Sequence, residues 1–204
     1  MAATYRAVPW GPLAALVVTS LAIMGSPGPA TISLTAAGSA FGFRRSLGYL
    51  AGIAAGTWIV LLAVACGVTA ALLAVPGLRP VLVVGAAAYI VWLAYHIATA
   101  PPLAEDGSAP PPTLAGGLLL GVANPKAWVA IAAVFAGARL AHGAAIDAAA
   151  KVAVLTVMVA LINTAWLGVG ASVAPVLRDP GRARVVNRAL AATLLLATAL
   201  AVVH

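Results

Sequence analysis

Apolar residues in this chain form long uncharged runs, and charges punctuate them at Arg6, Arg44/Arg45, Arg79, Glu105/Asp106, Arg139, Asp147/Lys151 and Arg178 to Arg188. A run of about 20 apolar residues can cross the hydrocarbon of a bilayer as a helix. The pattern predicts six spans: Trp10–Phe41, Leu47–Val75, Val81–Ala100, Thr113–Ala138, Val152–Val176 and Val185–Val203. The first run is too long for the apolar core of a signal peptide and is followed by several more, so it is read as a mature helix. The last is the shortest and barely covers a thin bilayer.

Two of the six runs are interrupted. The first contains MGSPGPATISL from Met24 to Leu34, with SerProGlyPro at its centre, and the fourth contains Asn124, Pro125 and Lys126. The breaks lie three spans apart and therefore enter from opposite sides. That is the sequence pattern of an inverted 3+3 repeat, in which binding sites form where the interruptions meet. The expected architecture is an all-α integral membrane fold forming one transporter domain. Residues 1–100 form the first three-helix repeat, the proline-rich PPLAEDGSAPPP at 101–112 is a linker, and 113–204 form the second repeat. Glycines every fourth residue (Gly48, Gly52 and Gly56; Gly38 and Gly42; Gly117 and Gly121) allow close helix packing.

Composition supports the membrane reading. Hydrophobic residues make up 64% of the chain and charged ones 7%, with a mean hydropathy of +1.11, far outside the range of a soluble domain. The formal charge of +7 is carried by arginines in short loops, which points to membrane topology rather than nucleic-acid binding. Arg44 and Arg45 are expected to share the cytoplasmic side with Arg178, Arg182, Arg184 and Arg188. Both termini then lie outside, with Arg6, Arg79, Arg139 and Lys151 as the weaker outward set. The single cysteine, Cys66, excludes an internal disulfide and is expected to pack within the second span.

The breaks carry the candidate chemistry. Pro27 and Pro29 lack backbone N–H groups, so the carbonyls of Ile23 and Gly25 lose their helical donors, as does that of Gly121 through Pro125. Unpaired carbonyls cannot face lipid, so a polar pocket is the physical corollary. The helices that restart after each break offer free N–H groups and a positive dipole end to a carboxylate. Lys126 is the one full charge expected within a span, and no acid is expected in any span to neutralise it. An anionic group on a substrate can do so, with Asn124 adding an amide. Snorkelling of Lys126 to an interface is the competing reading.

Further cavity or coupling candidates are Ser33, His96, Asn163 and Trp166. His96 lies among Tyr89, Trp92 and Tyr95, which also read as an interface belt. Asn163, Thr164 and Trp166 either line a cavity or bond across helices. His142 and His204 are read as loop and terminal residues. The chain has no phosphate-binding GxxxxGK[ST] loop, HExxH, CxxC or nucleophile elbow. No catalytic residue, resident metal or cofactor is expected.

These residues together resemble the LysE/RhtB family of amino-acid exporters: SPGP in the first span, GxxxGxxxG in the second, GAAAYIVWLAYHI in the third, GVANPKAW in the fourth and RxRxxNR before the last. The resemblance covers nearly the whole chain. It implies gradient-driven export of amino acids or close derivatives across the bacterial inner membrane, with Pro27, Gly28, Pro29, Asn124, Pro125 and Lys126 as the translocation-site framework. The family usually places a polar residue such as Asn after ProGlyPro; here Ala30 stands there, leaving Thr31 or Ser33 to substitute. A cationic amino acid would bring a second ammonium near Lys126, so a neutral substrate is expected. The expected partners are an amino-acid substrate, membrane lipid and a homo-oligomeric copy, without nucleic acid. A metal-ion exporter of related architecture, a membrane-embedded enzyme and a non-transporting assembly factor are the alternatives.

Overall fold

Long runs of Ala, Leu and Val satisfy their backbone polar groups internally only as helices, and helices are what the computed structural model of the chain contains. It describes residues 10–68, 111–137 and 139–177, together with scattered positions from 74 to 99 and from 179 to 196. Among the described residues there is no strand. Six helices have defined bounds: α1 (Trp10–Ile23), α2 (Pro29–Arg45), α3 (Leu47–Ala65), α4 (Leu114–Ala123), α5 (Pro125–Gly137) and α6 (Ala144–Leu177).

Among the described residues, two helices are long and apolar enough to cross a membrane, Leu47–Ala65 and Ala144–Val173, and the pair α4 and α5, bent by 57°, becomes a third if it is one span. The first predicted span is likewise two helices. α1 has 14 residues, about 21 Å, which falls short of a hydrocarbon core of about 30 Å. The third and sixth predicted spans and nearly all of the linker fall largely outside the described residues, and His96 lies outside them.

Three expectations are corrected. The fifth helix begins at Ala144 rather than Val152, so Asp147 and Lys151 sit on it instead of in a loop. They are one helical turn apart and form an ion pair at 2.8 Å, which lets both charges ride on one helix face. Lys126 is therefore not the one charge on an apolar helix, and an acid is present on one. The second span ends as a helix at Ala65, where Gly67 turns through φ +80. Cys66, expected inside the span, caps that end and is exposed.

The glycines explain which helices touch. A Cβ on Gly52 would collide with the Leu114 carbonyl, one on Gly56 with that of Leu118, and one on Gly117 with that of Tyr49. Backbone-to-backbone approach of this kind fuses α3 to α4. Gly38 against Leu167 and Gly170 against Thr35 do the same for α2 and α6. Gly48 and Gly42 take no part; each opens onto free space, and Gly42 kinks α2 at φ 78.

Contact order along each pair gives direction. Tyr49, Ile53 and Gly56 meet Gly117, Gly121 and Val122 in rising order, and Gly25, Thr35 and Gly38 meet Trp166, Gly170 and Ala171 in the same sense. Both pairs are parallel. Apolar packing closes the structure between them: Leu16, Val60, Leu61, Ala127, Ile131, Val134 and Leu155 form one buried cluster. Ala30, Leu34, Ala37, Tyr49, Ile53 and Leu167 form another.

Candidate functional site

At the first break the two carbonyls stripped of donors by proline have found new ones. Ile23 O accepts from Ser26 Oγ at 2.8 Å, and Gly25 O accepts from the indole Nε1 of Trp166, on α6, at 3.0 Å. The next two carbonyls, of Ser26 and Pro27, both accept from the Lys126 ammonium, the latter at 3.2 Å. The two breaks therefore meet. Gly28 is extended (φ −171), and its N–H donates to Thr31 Oγ1 at 2.8 Å, capping α2. The Thr31 hydroxyl donates back to Gly28 O at 3.0 Å.

The second break is built by Asn124. Its Oδ1 accepts from the Lys126 N–H at 3.2 Å, starting α5, in the manner of an N-cap asparagine. That leaves Val122 O without its helical donor, and Trp128 Nε1 supplies one at 2.8 Å. The Lys126 side chain crosses to the first break over Gly28. A Cβ on Gly28 would lie 2.5 Å from Lys126 Cδ, so any side chain there would push the Lys126 stem aside.

A cavity of about 40 Å³ lies between the breaks, lined on its polar side by Gly28, Thr31, Thr57, Asn124, Lys126 and Asn163. Met24, Ala127, Ile131, Val159 and Ile162 are among its apolar lining. The volume suits a few waters or a small solute. Among the described residues, two of the three Lys126 N–H groups are spent on carbonyls, leaving one, and Asn124, 5% exposed, has committed only its carbonyl oxygen. The arrangement at this end is rich in donors and, among the described residues, holds no acid, which suits an anionic group.

Of the residues singled out in the sequence, Gly28, Thr31, Asn124, Lys126 and Asn163 are brought together around the cavity. Pro27, Pro29 and Pro125 shape the backbone beside it without lining it. Trp166 does not line it; its indole holds Gly25 O. Ser33 is also elsewhere, with its hydroxyl on Tyr49 Oη. Thr57 and Met24 were missed. A threonine in a Gly-rich helix and a methionine beside a break give no signal until α3 is known to face α5 and α6.

The family described as LysE type translocator matches residues 21–204, which take in both breaks. The chain belongs to the LysE type translocator family. Two relatives share local similarity with this translocator. A cysteine/O-acetylserine efflux protein of Salmonella typhimurium is 40% identical over 88 residues, 43% of this chain and 44% of the relative. A protein of the same name in Escherichia coli K12 is 42% identical over 83 residues, 40% of this chain and 42% of the relative. The match thus spans less than half the length of either relative. No solved structure matches this translocator.

Proposed function

We propose that this LysE type translocator is a secondary active exporter, not an enzyme, that carries small neutral amino acids or close derivatives out of the cytoplasm across the bacterial inner membrane. The observation that carries the reading is the Lys126 ammonium of one break lying on the Ser26 and Pro27 carbonyls of the other, at the edge of a cavity. A substrate carboxylate takes the remaining Lys126 N–H and the Asn124 amide N–H groups. The helix starts at Pro29 and Pro125 add a positive field. Pro27, Gly28, Pro29 and Pro125 hold the opened backbone, and Thr31 caps it.

The proposed frame is six spans as an inverted 3+3 repeat with both termini outside. Two features support it. In a six-span chain, spans 1 and 5 run the same way, as do spans 2 and 4, and the observed parallel pairs are α2 with α6 and α3 with α4. An inverted repeat also exchanges span 1 with 4 and span 5 with 2, so the first pairing maps onto the second. The parallel run of α2 and α6 further carries Arg44 and Arg45 toward the side on which α6 ends, ahead of the arginine cluster.

The substrate class follows from charge and from the relatives. The charged group at the cavity is a lysine, which disfavours cationic amino acids and metal ions alike. The relatives are named for efflux of cysteine and O-acetylserine, small molecules with neutral polar side chains. Lipid contacts and a homo-oligomer belong to the same reading.

Export from cells supplied with single amino acids tests it. Neutral residues such as serine, cysteine or threonine should accumulate outside faster than in a strain lacking the gene. Export of lysine or arginine with none of the neutral residues moved would overturn the reading. Impermeant labelling from outside of single cysteines placed at Arg45 or Arg182 would refute the orientation.

A further inference from the structure

The cavity holds a polar group that the carboxylate reading leaves unused. Asn163, on α6, is 6% exposed and lines the cavity, and its amide has no hydrogen-bond partner among the described residues. A buried amide left unpaired carries its full desolvation cost, so such a group calls for a specific reason. Val159 and Ile162 line the cavity from the same face of α6, so Asn163 is a polar position on an otherwise apolar wall.

Thr57, 7% exposed, reaches the cavity from α3. Its hydroxyl hydrogen is donated to Ile53 O at 2.8 Å, leaving the oxygen as an acceptor. The two residues therefore offer a complementary set: two amide donors and one acceptor from Asn163, and an acceptor from Thr57. Neither carries charge. Their unused capacity differs in kind from the donor-only end at Lys126 and Asn124.

We propose that Asn163 and Thr57 form the side-chain subsite of this translocator and select a short amino acid ending in a neutral hydroxyl or thiol. Such a group accepts from the Asn163 amide and donates to Thr57 Oγ1 or Asn163 Oδ1. An apolar side chain of equal size leaves the Asn163 amide unpaired, and a charged one meets no counter-charge. A site that hydrogen-bonds a substrate group discriminates against the analogue lacking it far more strongly than an apolar pocket does. The inference rests on the exporter reading and assigns its selectivity to two named side chains.

Purified full-length protein in proteoliposomes, assayed by counterflow with serine, cysteine and 2-aminobutyrate, tests it. The last matches cysteine in size with a methyl in place of the thiol. The wild type should prefer serine and cysteine over 2-aminobutyrate by about tenfold or more. Asn163→Leu should bring the ratio of serine or cysteine transport to 2-aminobutyrate transport down to about one, and Thr57→Val should reduce it by a smaller factor. Asn163→Leu should also raise the thermal midpoint in detergent, because it removes an unpaired buried amide while keeping the branched four-heavy-atom skeleton, and its larger methyls have the adjoining cavity to enter. An unchanged preference in Asn163→Leu, with transport intact, overturns the subsite and leaves the exporter reading standing. A lowered midpoint makes the amide a structural bond and likewise overturns the subsite. Wild-type protein that carries none of the three overturns both.

Discussion

Two lysines on neighbouring helices show how differently a membrane protein can house the same ammonium. Lys151, on α6, is 6% exposed and completely partnered: Asp147 at 2.8 Å, the Phe135 carbonyl at 2.8 Å, and the Phe135 ring 5.2 Å from its nitrogen. Asp147 in turn accepts from the Leu140 and Ala141 N–H groups at 2.6 and 3.1 Å. The cluster ties the turn between α5 and α6 to both helices, and its charges cancel. Lys126, on α5, has only backbone carbonyls for partners among the described residues, which leave it an N–H to spare, and it borders a cavity. Closure marks the first as structural. The missing counter-charge marks the second as a place where an anion gains.

The comparison can be broken most directly at Lys126. Lys126→Met should reduce amino-acid export to the level of empty vesicles while the protein remains in the membrane, measured by counterflow alongside a membrane-fraction blot. Retained transport would remove the functional half of the contrast.

Lys151→Met should act on stability instead. Lys151 is buried but Asp147 is part-exposed and keeps its two backbone donors, so stranding it costs about 1–3 kcal/mol, visible as a lower thermal midpoint in detergent. The double replacement Asp147→Asn with Lys151→Met should recover most of that loss and still transport. A transport-dead, fully stable double variant would mean the closed cluster is not merely structural.

Gly28→Ala sharpens the contrast by moving Lys126 without removing it. The new methyl occupies the path of the Lys126 stem, and displacement by about 1 Å can cost up to about a hundredfold in rate. Transport should fall well below wild type, with a smaller change in midpoint than Lys151→Met produces. Equal transport would show that the seat of the ammonium is loosely set.

Trp166→Phe should have the smallest effect. It removes the donor to Gly25 O while keeping most of the ring, a loss of about 1–2 kcal/mol for one carbonyl left unpaired. The thermal midpoint should drop modestly, and selectivity among transported amino acids should stay the same. A change in selectivity would place Trp166 on the substrate, where the structure does not put it.

Much of the first break is legible in the sequence, because proline acts on a carbonyl a known number of residues away. Ile23 and Gly25 could be named as the carbonyls in need of donors. Their new donors could not: Ser26 is local, but Trp166 lies 141 residues along the chain from Gly25. The ion pair of Asp147 and Lys151 was misread as loop for a related reason. Hydropathy weighs each charge singly, whereas one turn of helix lets two opposite charges neutralise each other. Cys66 was placed inside a span because its apolar run continues past Gly67, whose backbone turn ends the helix whatever the hydropathy.

Composition and punctuation by themselves determined that this chain is helical and apolar, where its helices open, and that a lysine follows the second opening. These are consequences of local chemistry: backbone groups must bond within a helix in lipid, and proline and glycine decide where they do not. Only the tertiary structure decided that Lys126 reaches the first break, that Gly28 leaves room for it, and that Asn163 and Thr57 face the same cavity. Those facts depend on which helices lie side by side, and that is set by backbone approach at Gly38, Gly52, Gly56, Gly117, Gly121 and Gly170 between segments far apart in the chain.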